Sequence, residues 1–162
     1  MRVISILIIA CIIIGGCSKE ESVKTKVDES IVGYVVKKEA DRFLIVSSVA
    51  DSNNEYSATW VLSSEEVKIG QLVEVFIEGG EIKASDPGQA TSKKIILREI
   101  KVGESSNQEA SKVLENVLLQ HTELEVPVVK ELAYSKDSKE WSVTLFDKKD
   151  ANKIEISIKL KD

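Results

Sequence analysis

The chain has 162 residues, of which 43% are hydrophobic and 30% are charged. A chain of this length forms one or two small domains, which excludes the large two-domain enzyme architectures. The formal net charge is -5 and the pI is about 5.1. This acidic balance argues against a nucleic-acid partner, because phosphate binding requires a clustered excess of basic side chains.

Residues 1–16 have the pattern of a secretion signal. Arg2 supplies the positive charge, and residues 3–14 are apolar except for Ser5. A membrane-spanning helix needs about 20 apolar residues, so this shorter run fits the hydrophobic region of a signal peptide. The segment Ile14-Gly15-Gly16-Cys17 that follows resembles the lipobox of bacterial lipoproteins.

The lipobox predicts cleavage between Gly16 and Cys17 and a diacylglyceryl group on the Cys17 thiol. Two acyl chains are enough for stable anchoring, so we expect a lipid-anchored protein on the extracytoplasmic face of the cell membrane. An ordinary secretory signal with a chance cysteine and an uncleaved anchor are the alternatives. Because Cys11 leaves with the signal, no cysteine remains for a disulfide, a nucleophile or a thiolate metal site.

Residues 17–30 are polar and charged, with two valines as the larger apolar side chains. Such a segment cannot bury a core, so it is predicted to be a flexible tether. Its span is about 20 Å. An amphipathic helix on the membrane is the alternative, but it lacks apolar positions.

Residues 31–101 are predicted to form a small β domain. Five short runs rich in β-branched residues recur with turn signals between them, which is typical of a small barrel or sandwich. Gly79-Gly80 suits a two-residue hairpin turn between residues 76–78 and 81–83. We expect an OB-like five-stranded barrel with strands near residues 31–36, 42–46, 58–62, 71–77 and 94–100.

In residues 106–162 the spacing of the apolar residues changes. The new pattern predicts a helix followed by three antiparallel strands. Ser106 and Glu109 form a capping box, and the apolar positions after them have helical spacing up to His121. Pro127 ends the helical pattern, and strands are expected near residues 128–135, 140–146 and 153–160. The whole chain is therefore mainly β in an α+β arrangement, and so small a second unit should pack on the barrel.

Three segments of the first β unit carry a resemblance to a known family, namely Gly33-Tyr34-Val35-Val36, residues 69–75 and Ser85-Asp86-Pro87-Gly88-Gln89-Ala90. With these segments, the unit resembles the YobA-like domain of unknown function found in Bacillus-type lipoproteins. The resemblance covers less than half of the chain, from Gly33 to about Glu99, and leaves the C-terminal unit unassigned. It implies a surface lipoprotein of a Gram-positive bacterium with a compact β domain, and it implies no reaction. Asp86 replaces the aromatic residue that the family more often has there.

Five residues are candidates for ligand binding. Phe76 alternates in phase with Glu74 and Glu78, so it should lie on the outer face of its strand, open to a ligand or covered by the C-terminal unit. Trp60 fits either a core position or an exposed one. The segment around Asp86 is a turn signature, which either re-aims the chain or presents polar groups from Ser85, Pro87 and Gln89.

No catalytic, metal or cofactor site is predicted. His121 is the single histidine and suits a helix end. The oxygen-rich run Asp51-Ser52-Asn53-Asn54-Glu55 resembles the start of a calcium loop, but Tyr56 and Leu62 replace the required glycine and glutamate. Glu65-Glu66 fits a solvated turn better than a carboxylate pair.

These patterns favour a non-enzymatic, membrane-anchored module that binds a peptide, a protein or an envelope component. Two other classes stay open. One is a small envelope hydrolase or accessory subunit that uses acidic residues, for which two carboxylates should converge in a cleft. The other is a regulatory or inhibitory module that docks on a membrane protein.

Overall fold

A computed structural model describes residues 29–103 and 107–161. Its first half is a closed barrel with the strand order β1-β2-β3-β5-β4. Neighbouring strands are antiparallel, except that β3 and β5 are parallel. This arrangement confirms the predicted OB-like barrel. The strands are β1 Ser30–Glu39, β2 Arg42–Ser47, β3 Ala58–Leu62, β4 Leu72–Ile77 and β5 Gly88–Arg98.

The barrel interior is filled by side chains that alternate along its strands. On β4, the inward positions are buried and the outward positions are half-buried, as the alternation predicts. Gly33 permits the tight curvature of β1, because a Cβ there would lie 2.1 Å from the carbonyl oxygen of Val46. The interior cluster consists of Val35, Phe43, Ile45, Val61, Val67, Val73, Val75 and Ile77.

The second half contains a helix, α1 (Asn107–Gln120), and a three-stranded antiparallel sheet in the order β6-β7-β8. The strands are β6 Pro127–Ser135, β7 Glu140–Asp147 and β8 Ile156–Lys161. The helix begins at the predicted residue. Ser106 of the predicted capping box lies outside the described residues.

One hydrophobic cluster joins the two halves. It contains Leu44 and Val46 from the outer side of β2, together with Leu114 of α1 and Leu145 of β7. Complete burial of a leucine side chain contributes about 1.5–3 kcal/mol to the free energy of folding. The second half is therefore held to the barrel by a shared apolar core.

Ionic contacts add to this core around the β7–β8 turn. The ammonium groups of Lys148 and Lys149 lie 2.8 and 2.9 Å from the two carboxylate oxygens of Asp86 in the β4–β5 loop. Lys153 lies 2.8 Å from Glu55 in the β2–β3 loop. Two barrel loops thus contact the same turn of the sheet.

The structure corrects three details of the predicted strands. Gly79 and Gly80 have positive φ as expected, but they belong to a short 3₁₀ turn, Glu78–Gly80, and not to a two-residue hairpin. Residues 81–83 contribute only a single bridge, between Lys83 and Gln89. Strand β5 begins at Gly88, earlier than predicted, because its first residues pair in parallel with β3.

A further correction is that β8 starts at Ile156, while Ile154 is largely exposed. The predicted signal, Cys17 and residues 18–28 of the predicted tether lie outside the described residues. Within residues 29–103 and 107–161, no helix has the length and apolarity required to span a bilayer.

Candidate binding face

The barrel face that OB folds commonly use for ligands is covered here. That face is formed mainly by β2 and β3. Leu44 of β2 points out of the barrel and yet is 0% exposed, because it packs in the cluster shared with the helix and sheet. Tyr56, in the loop before β3, packs edge-on against Phe146 of β7 with ring centroids 5.8 Å apart. The second half of the chain therefore occupies the position that a ligand takes in other OB folds.

Trp60 lies at the margin of this covered face. Thr59 and Val61 are buried, with Val61 in the interior cluster, whereas Trp60 points outward and packs against the shared core. The guanidinium carbon of Arg42 lies 4.5 Å from the centroid of the Trp60 ring. This cation–π contact occupies one ring face, so the structure gives Trp60 a packing role.

Phe76 lies on a different face, formed by the outer sides of β1, β4 and β5. Cross-strand register places Phe76 between Ser30 and Lys94, and places Glu74 between Val32 and Ile96. We call these six residues the Phe76 face. Phe76 is half-buried and lies outside both hydrophobic clusters.

Three apolar side chains of the Phe76 face are accessible. Val32 is 41% exposed, and Phe76 and Ile96 are half-buried. They surround Glu74, whose side chain is 12% exposed. Accessible apolar side chains beside a small number of fixed polar groups are typical of ligand sites.

The Glu74 carboxylate is held by two partners. The hydroxyl of Ser30 donates a hydrogen bond of 3.1 Å to one carboxylate oxygen. The other oxygen accepts a short hydrogen bond from the guanidinium of Arg98. The centre of the Phe76 face is therefore a fixed, paired carboxylate.

The turn before β5 uses its polar groups internally. The Ser85 hydroxyl donates a hydrogen bond of 2.7 Å to the carbonyl oxygen of Pro87, and Gln89 pairs with Trp60 of β3. Asp86 points to the sheet, and its hydrogen bonds from Lys148 and Lys149 lower the pKa of its carboxyl. The structure therefore gives Ser85, Pro87 and Gln89 positions in a docked turn, away from the Phe76 face.

The two remaining loop candidates also have local roles. The Asp51 carboxylate accepts hydrogen bonds from the backbone N–H groups of Asn53 and Glu55, which lower its pKa. His121 lies 2.9 Å from a carboxylate oxygen of Glu123 through Nδ1, and this hydrogen bond lowers the pKa of Glu123. Asp51 therefore stabilises the turn at residues 51–55, and the contact between His121 and Glu123 stabilises the segment that follows α1.

Acidic residues are dispersed in the described part of the chain. One carboxylate oxygen of Glu65 accepts a hydrogen bond of 2.9 Å from the backbone N–H of Ile95. This oxygen is therefore already bound to the backbone of β5. Within residues 29–103 and 107–161, no group of three or more histidine, cysteine, aspartate or glutamate side chains has a geometry that could hold a metal ion.

A barrel with one covered and one open outer face, followed by a helix and a three-stranded sheet, defines a small β-barrel module with an attached α+β unit. Residues 32–97 match the family described as Protein of unknown function (DUF3221). This match confirms that the barrel resembles the YobA-like domain of unknown function, as its sequence indicated.

The solved structures include one similar chain, described as the crystal structure of a yobA protein from Bacillus subtilis subsp. subtilis str. 168. It is 25% identical to this chain, and the match covers 43% of this chain and 94% of that one, with a TM-score of 0.33. No curated protein matches the chain significantly.

Proposed function

We propose that the protein is a lipid-anchored, non-enzymatic binding module on the extracytoplasmic face of the cell membrane. Its folded part binds a protein, a peptide or an envelope component through the Phe76 face. The observation that carries the binding role is the exposure of Val32, Phe76 and Ile96 around a fixed carboxylate. The observation that carries the anchor is the Ile14-Gly15-Gly16-Cys17 sequence.

The place where the chain enters the barrel supports a role near the anchor. The carbonyl oxygen of Glu29 accepts a hydrogen bond of 2.9 Å from the N–H of Ile77, and Ser30 pairs with Phe76. The segment from Cys17 therefore reaches the barrel beside the Phe76 face. Anchoring would keep this face close to partners that are themselves held at the membrane.

Substitution of the two cysteines tests the anchor. In detergent-phase partitioning, wild type and Cys11→Ala are expected in the detergent phase, because Cys11 leaves with the signal. Cys17→Ala is expected to lose the acyl chains, and metabolic labelling with a fatty-acid analogue should label the first two proteins only. Equal partitioning and labelling of all three proteins would refute the anchor.

Cross-linking on intact cells tests the binding role. Phe76→Ser removes an accessible apolar side chain from the proposed face, whereas Leu119→Ser removes one that is 53% exposed on α1. We expect Phe76→Ser to abolish a recurrent cross-linked species and Leu119→Ser to retain it, with both variants folded by circular dichroism. Loss in both variants or in neither would contradict binding through the Phe76 face.

A further inference from the structure

A cleft of about 420 Å³ lies between the turn that precedes β4, the end of β5 and the first half of α1. We call it the Leu97 cleft. Its volume is within the range of about 300–1,000 Å³ that is common for ligand sites. It is lined by Lys68, Ile69, Gln71, Leu72, Leu97, Arg98, Ser111, Lys112 and Glu115.

The walls of the cleft are fixed to one another. Gly70 has φ +85°, and a Cβ there would lie 2.3 Å from the carbonyl oxygen of Ser111. The N–H of Gly70 also donates a hydrogen bond of 2.8 Å to the carbonyl oxygen of Val35. Because the turn contacts both the barrel and the helix, a ligand would find a site that is already formed.

The cleft is cationic in a chain whose net charge is -5. Lys68, Arg98 and Lys112 line it, with Glu115 as the one lining carboxylate. Arg98 is paired with Glu74, whereas Lys68 and Lys112 form no ion pair with any described residue. Two ammonium groups therefore remain to attract a negatively charged ligand.

The cleft also offers apolar contact and hydrogen bonds. Leu97 is 60% exposed, and Ile69 and Leu72 are half-buried beside it. The Ser111 hydroxyl on α1 and the side-chain NH₂ of Gln71, in the turn before β4, supply polar groups to its lining. This mixture suits a ligand that combines carboxylates, amide groups and an aliphatic side chain, which is the composition of an acidic peptide.

The position of the cleft favours a peptide over a lipid headgroup. Strand β4 runs from Leu72 in the cleft to Phe76, which pairs with Ser30. Four residues of strand separate these ends by about 14 Å. The cleft therefore lies at the end of the barrel away from the point where the chain from Cys17 enters.

We propose that the Leu97 cleft binds an acidic peptide segment with an aliphatic side chain. Its carboxylates pair with Lys68 and Lys112, and its aliphatic side chain packs on Leu97. The proposal names a ligand class for a second binding site, which borders the Phe76 face through the Arg98–Glu74 ion pair. It requires neither that face nor the lipid anchor.

The test uses the full chain in mild detergent and a fluorescent peptide of alternating leucine and glutamate. A matched peptide has glutamine at each glutamate position. The cleft variant is Lys68→Glu/Lys112→Glu. The control variant Lys159→Glu/Lys161→Glu changes the net charge equally on exposed positions of β8. Fluorescence anisotropy gives the affinities, and amide chemical shifts locate the site.

We expect the cleft variant to weaken binding of the acidic peptide by about tenfold or more, since two attractive pairs become repulsive. The control variant should retain wild-type affinity within about twofold, because exposed charges away from the site are screened. The shifts of wild type should centre on Leu72, Leu97 and Ser111. The glutamine peptide should bind more weakly than the acidic one.

Three results would overturn the proposal: equal loss in both variants, shifts outside the cleft, or equal binding of the glutamine peptide. If phosphatidylglycerol vesicles bind wild type and the control variant but not the cleft variant, the ligand of the cleft is a lipid and not a peptide. Shifts confined to Val32, Phe76 and Ile96 would instead place the peptide on the Phe76 face. Failure of the cleft proposal is therefore distinguishable from failure of the proposed Phe76 face.

Discussion

Gly70 and Ser111 are in direct backbone contact across the boundary between the barrel and the helix. A Cβ on Gly70 would lie 2.3 Å from the Ser111 carbonyl oxygen and 2.7 Å from the Glu115 nitrogen. The contact joins the turn before β4 to the first half of α1. Its tightness makes this position a sensitive measure of how the two halves of the chain pack.

Gly70→Ala is predicted to destabilise the protein more than Gly79→Ala. Both glycines have positive φ, but an added Cβ at Gly79 has no atom within 4 Å. The shared backbone strain is about 1–2 kcal/mol, and only Gly70→Ala adds overpacking of about 1–3 kcal/mol. Urea unfolding followed by tryptophan fluorescence measures the difference in the free energy of unfolding. Equal losses would contradict the tight contact.

Leu44→Ala is predicted to cost about 2–5 kcal/mol of unfolding free energy, the range for a buried leucine. Leu62→Ala serves as the control, because Leu62 points outward on β3 and is 46% exposed. It should cost less than about 1 kcal/mol. Similar small losses for both variants would show that the outer side of β2 is open and that the C-terminal unit does not cover it.

Asp86→Asn is predicted to destabilise the protein near neutral pH and to have a smaller effect at acidic pH. The pKa of Asp86 is lowered by hydrogen bonds from Lys148 and Lys149, so its contribution is present above the unfolded pKa of about 3.9. The contribution is lost as pH falls through and below that value. Because the Asp86 side chain is 56% exposed, the stabilisation is about 1 kcal/mol or less.

Urea unfolding of wild type and Asp86→Asn at several pH values checks this prediction. The difference between the two proteins should shrink as pH falls, and high salt should reduce it at neutral pH. Lys148→Ala/Lys149→Ala should remove most of the effect of Asp86→Asn. A pH-independent difference would show that the ion pairs do not hold the turn.

The local sequence pattern was sufficient to predict the position of most strands of the barrel. Strand β3 has the predicted bounds, since β-branched residues and turn signals delimit it. The start of β5 at Gly88 was missed, because its first residues are polar and are held in place by parallel pairing with β3. Both faces of β2 are buried, one in the barrel interior and the other under the helix and sheet. Burial of the second face depends on long-range packing, so the alternation of side chains along the strand could not predict it.

The candidate site was predictable only in part. Alternation placed Phe76 on the outer face of β4, where the structure has it. The cross-strand neighbours of Phe76 follow from register, which no local pattern gives. The contact of Asp86 with Lys148 and Lys149 joins residues 62 and 63 positions apart, and nothing in the turn signature indicated it. The Leu97 cleft likewise depends on how the helix docks.

Site-specific photo-crosslinking on intact cells tests the central claim, binding through the Phe76 face, most directly. A photoreactive amino acid is placed at position 76, and at position 157 on the exposed outer side of β8 as the control. We predict a discrete cross-linked species from position 76 of the full-length protein and none from position 157. Cross-linking from position 157 alone, or equally from both positions, would contradict it.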